Sequence, residues 1–113
     1  MSYDYSTGRV KIVPFTASFT LTNDDVGKAF RYEGTTNATV TVPNDLHVGF
    51  SCGFLQYASG TIAIAAGAHA TKVAGGSATS AQYQSGSVIV TKRSGGVFGV
   101  VADIEYMVGG DFT

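Results

Sequence analysis

The chain has 113 residues, enough for one domain and too few for two independent cores. Only 13% of them are Asp, Glu, Lys or Arg, the net charge is −1, and no Lys/Arg run appears, a balance that argues against nucleic-acid binding. Polarity comes instead from 15 glycines and many Ser and Thr, which implies that part of the surface faces protein in place of water.

Residues 1–14 are expected to form an N-terminal arm with Tyr3, Tyr5 and Val10 as partner contacts, and they lack the apolar core of a signal peptide. From Phe15 to Thr22 apolar residues alternate with Ser and Thr without a break, the pattern of a half-buried strand. TNDDVGK predicts a capped turn stopped at Gly27, and AFRYE a strand with Phe30 and Tyr32 on one face. EGTTNATVTVP reads as a hairpin bent at residues 34–36, with Val40 and Val42 inward and Pro43 closing the strand. FSCGFLQY reads as a strand covered on both sides.

The stretch SGTIAIAAGAHAT is rich in alanine, whose helix preference is worth at most about 0.7 kcal/mol per residue over ordinary residues. Alternating Ile62 and Ile64, bounded by Gly60 and Gly67, predict a strand over Thr61 to Ala65. Its other face, at Ala63, is uncharged and slim, and is expected to be covered by a second sheet or by a partner. Residues 71–86 hold a short strand and a Gly/Ser loop. SVIVTKR and VFGVVADI then form a hairpin around Gly95 and Gly96, where glycine admits positive φ. Residues 105–113 are expected to be a C-terminal tail presenting Tyr106 and Phe112. Together these signals predict an all-β fold: a β-sandwich or jelly-roll-like domain over residues 15–104, with about eight short antiparallel strands and extended terminal arms.

Residues able to carry chemistry are few. His47 and His69 sit in turn-like loops without a nucleophile motif such as G-x-S-x-G. Asp24 and Asp25 fit a capped turn, and Asn37-Ala38-Thr39 matches a glycosylation acceptor pattern. Cys52 is the single cysteine, so no internal disulfide forms, and its strand context makes it a small core residue. No Cys/His cluster has metal-ligand spacing, no glycine loop has phosphate-binding spacing, and no apolar run is long enough to span a bilayer. The expectation is therefore a protein with no catalytic, cofactor or metal site and no membrane partner. Tyr83 reads as either a partner anchor or a core residue.

In chain order, LTNDDVGKAFRY, TVTVPNDLHVGFSCGFLQYASGTIAIAAG and SVIVTKRSGGVFGVVADI resemble a β-rich module of tailed-bacteriophage structural proteins, found in tail fibres and in small capsid decoration (cement) proteins. The resemblance covers residues 19–104, and Phe98 stands where tail-fibre versions often carry Trp. It implies a virion structural protein without catalytic residues. The expected role is a decoration protein on the outer capsid surface, made in the host cytoplasm, with the major capsid protein and further copies of itself as partners. A tail-fibre or receptor-binding module recognising host glycans is the alternative.

Overall fold

The computed structural model describes residues 10–94 and 103–113. Nine strands follow in chain order among them: β1 (Lys11–Phe15), β2 (Phe19–Thr20), β3 (Lys28–Tyr32), β4 (Ala38–Val42), β5 (Ser51–Gln56), β6 (Ile62–Ala66), β7 (Ala70–Ala74), β8 (Ser85–Ser94) and β9 (Asp103–Gly110). A 3-10 turn at Asn23–Asp25 separates β2 from β3. The fold is β-rich, as the alternation predicts.

From β1 to β6 the chain alternates between two sheets. The larger is ordered β1-β3-β5-β8-β9-β7 and the smaller β2-β4-β6. Each visit to a sheet adds a strand beside the last one in the same direction, so β1/β3, β3/β5, β2/β4 and β4/β6 are parallel. β7/β9 is parallel as well, and only β5/β8 and β8/β9 are antiparallel. The expected antiparallel array is thus corrected. An apolar/polar alternation has period two whichever way the neighbour runs, and direction is set by where the connections go.

Two expected elements are divided for the same reason. FTASFTLT is not one strand, because β1 ends at Phe15, the chain crosses to the second sheet, and β2 holds only Phe19 and Thr20. EGTTNATVTVP is a corner between sheets and not a hairpin; successive corners stack, with the Gly60 amide donating to the Gly34 carbonyl at 3.1 Å.

The inward rows meet in one apolar cluster. Phe30, Tyr32, Cys52, Phe54, Val88, Val90, Ile104, Tyr106 and Val108 come from the larger sheet, against Ala38, Val40, Val42, Ile62 and Ile64 of the smaller. Aromatic rings mark the stacking direction: Phe15 lies on Tyr32 at 4.8 Å and Phe30 on Phe54 at 5.6 Å between centroids.

Residues 105–113, expected as a tail, contribute most of β9, which lies between β8 and β7. Tyr106 is 1% exposed and Phe112 5%, its ring edge-on to Phe54. Both expected partner contacts are core residues in this fold. β8 and β9 pair antiparallel, but the second strand begins at Asp103, later than VFGVVADI suggests. The expected turn at Gly95 and Gly96 lies outside the described residues, as does Phe98.

Candidate binding surfaces

The two ends of the strand stack differ. Beyond β6 the chain closes its own edge: the Ile64 amide donates to the Ser77 carbonyl at 2.7 Å, the Thr79 amide to the Ile62 carbonyl at 2.9 Å, and Ala63 bridges Ala78. The covering segment is held in turn by the last residue, since the Ser77 and Ala78 amides donate to the Thr113 carbonyl.

At the other end, β1 pairs with β3 alone among the described residues, and β2 is two residues long. Val13, Phe15 and Phe19 pack on the core but stay partly exposed, and with Ala17, Asp25 and Phe30 they line a groove of about 350 Å³. On the outward side of β1, Ile12 is 52% exposed, and Val10 before it 58%. Strand register carries Ile12 into a row across the sheet, through Ala29, Gly53 and Ser87 to Gly109, that holds no charge and little bulk.

A second surface forms where β3 and β5 end. The Arg31 guanidinium lies 5.5 Å from the ring centroid of Tyr57, and its Nε donates to Glu33 Oε2 at 2.5 Å. Tyr57 meets Tyr83 edge to face at 6.1 Å. Tyr83 has φ 71°, a left-handed conformation that costs a bulky residue on the order of 1–3 kcal/mol. The loop that imposes it is fixed on several sides. The Tyr83 amide donates to the Gln56 carbonyl at 2.6 Å, the Gln56 amide to the Gln84 carbonyl at 2.9 Å, and Gln84 Oε1 accepts the Ser80 amide at 2.7 Å. Gln82 Nε2 donates to the Tyr57 carbonyl at 2.9 Å, tying the two halves of the rim. Tyr57, 48% exposed, and Tyr83, 66% exposed, are therefore held in place without being covered.

Of the residues expected to meet a partner, Tyr3 and Tyr5 lie outside the described residues, and Val10 is exposed at the head of β1. Ala63 is half-buried in β6, whose edge the chain itself covers. Sequence reasoning leaves Tyr83 undecided and passes over Arg31 and Tyr57. Tyr57 continues the outward side of β5 after Leu55, but its exposure depends on loops that alternation does not describe.

The chemistry-bearing residues are dispersed. His69 Nδ1 lies 2.9 Å from Asp103 Oδ1 with both side chains exposed, and the His47 amide donates to Asn23 Oδ1 at 2.9 Å. Asp25 caps its own turn, accepting from the Thr22 amide at 3.0 Å, and pairs with Lys28 at 3.3 Å. Burial, and then the negative charge of Asp25, push the Cys52 thiol up to about 12. That is far from the depressed pKa of a nucleophile. No group of three His, Cys, Asp or Glu side chains converges among the described residues, and no helix there is long and apolar enough to cross a membrane. No family model, curated protein or solved structure matches the chain.

Proposed function

We propose that the chain is a virion structural protein, a capsid decoration (cement) protein that docks on the outer surface of an assembled head and ties neighbouring capsomers together. The observation that carries this reading is the unequal closure of the stack. Among the described residues, the β6 edge is sealed by residues 77–79 and Thr113, while nothing pairs with the outer edge of β1 or fills the Phe15/Phe19 groove. Stacked repeats need a covered terminal unit, and an open edge strand offers unpaired backbone groups to another chain. Pro14 removes one donor from that edge, so side-chain burial over Ile12, Val13, Phe15 and Phe19 is the larger stabilising term. Tyr3 and Tyr5, in the residues leading to this edge, are the further contacts proposed.

The two sheets around one core are taken as a sandwich wound by alternation, and the slim row at Ala29, Gly53, Ser87 and Gly109 lets another surface approach closely. The mechanism is linkage: a ligand that binds only the assembled shell stabilises it by mass action. Contact with two capsomers, or with further copies of the chain, adds avidity. A standard interface buries on the order of 1,600 Å² in total.

Binding to purified heads tests the reading. Ile12→Lys is expected to lower occupancy at least about tenfold while unfolding stability stays within about 0.5 kcal/mol, as for an exposed position. Undiminished occupancy would remove the open end from the interface. Localisation of the chain in a few copies at the tail would replace decoration with the tail-fibre reading.

A further inference from the structure

We propose that the rim formed by Arg31, Tyr57 and Tyr83 is a binding site for neutral sugars, taking one face of a pyranose ring against the exposed tyrosines. This site uses none of the residues assigned to docking, and it stands or falls separately from that reading.

A pyranose presents two chemistries, a face of C–H bonds and a girdle of hydroxyls. The rim answers both. Tyr57 and Tyr83 meet edge to face at 6.1 Å, which makes an angled corner of aromatic surface. Around it, the hydroxyls of Tyr57 and Tyr83, the terminal guanidinium nitrogens of Arg31 and the Gln82 Oε1 have no hydrogen-bond partner among the described residues. These are donors and acceptors of the kinds that vicinal hydroxyls use.

Charge selects among sugars. Glu33 balances Arg31 at 2.5 Å, and Ser85, in register with Arg31 through Leu55, carries the Asp111 carboxylate on its amide at 3.0 Å, so the corner has no surplus positive charge for a carboxylated sugar. The surroundings also disfavour a peptide. The large exposed aliphatic residues lie elsewhere: Val10, Val26 and Val48 just before β1, β3 and β5, Ile12, Ile89 and Met107 outward on the larger sheet, and Val73 on its far edge strand β7. A protein hot spot is normally ringed by contacts that exclude water, whereas the neighbours of this corner, Arg31, Glu33 and Gln82, are polar.

The backbone supplies the independent observation. A position at φ 71° favours glycine, yet it carries a tyrosine that is 66% exposed and meets the Tyr57 ring edge to face. The edge-to-face contact, worth about 0.5–1.5 kcal/mol, is no larger than the strain of about 1–3 kcal/mol that the position carries.

The test is a titration of the full chain, followed by amide NMR, with maltotriose, cellotriose, chitotriose and lactose, and with sialyllactose as the acidic control. One of the neutral sugars is expected to bind in the millimolar range, shifting the resonances of Arg31, Tyr57 and residues 80–85. Tyr57→Ala is expected to weaken it at least about tenfold. Tyr83→Gly is expected to do the same without loss of thermal stability, because glycine adopts this φ without strain. Absence of shifts with every neutral sugar, preference for sialyllactose, or binding that survives both substitutions would overturn the site. Loss of head occupancy in Tyr83→Gly without any sugar binding would give the rim to a protein partner instead.

Discussion

Thr79 performs with a side chain what a strand performs with its backbone. Its Oγ1 accepts the Ile62 amide at 2.9 Å in a buried position, while its own amide donates to the Ile62 carbonyl at 2.9 Å. Thr79→Val keeps the shape and leaves the Ile62 N–H without a partner, so a loss of about 1–3 kcal/mol is expected by chemical denaturation. Gly75 is constrained differently: its φ is 101°, and a Cβ there would overlap the Val108 carbonyl. Gly75→Ala is expected to cost about 3 kcal/mol or more, against about 1 kcal/mol for Gly27→Ala, where φ is 75° but the space is open. Cys52 should resist thiol reagents until the chain unfolds. A thiol held up to about 12 when folded, against about 8.5 when free, adds stability that is complete below the lower value. That contribution is lost as pH rises between the two, because the unfolded chain then binds fewer protons. A denaturation midpoint that falls across this alkaline range in the native chain, and falls less in Cys52→Ala, is the expected result.

Single elements depend on what closes them. Truncation after Gly110 removes Phe112 from Phe54 and Thr113 from the segment that seals β6. A loss of about 3–5 kcal/mol is expected, the scale of deleting a buried phenylalanine, together with faster aggregation through the uncovered edge. Thermal unfolding and light scattering measure the two effects. The inward pairs Phe30/Tyr32, Val40/Val42 and Ile62/Ile64 are all legible in the sequence, because a two-residue period records which side of a strand is buried. What that period omits is the neighbour's direction, so the corner at Gly34 looks like a hairpin and β1 and β2 look like one strand. The same gap hides the rim. Tyr57 and Tyr83 become a pair only when the end of β5 and the loop before β8 are brought together, and neither segment alone says so.

For the whole molecule, parallel neighbours impose remote closures. Ala29 must find Gly53 and Ala70 must find Ile104 before either sheet is complete. Refolding is therefore expected on the millisecond-to-second scale of non-local β folds, and stopped-flow fluorescence of the tyrosines follows it in a chain without tryptophan. Complete refolding in microseconds would contradict the topology.

The matched registers also make the body extensible. Residues 28–51 run through β3 and β4 and bring the chain to β5, offering Phe30 and Val40 upward to the next layer as they receive Val13 and Phe19 from the layer below. A second copy of residues 28–51 inserted after Ser51 keeps the spacing that pairs Ala29 with Gly53 and Ala38 with Ile62, and would stack Phe30 on Phe30 and Val40 on Val40, lengthening the protein by one strand spacing of about 4.8 Å. The unit of inheritance in such a body is the turn of the winding, and its size changes by duplication rather than by redesign.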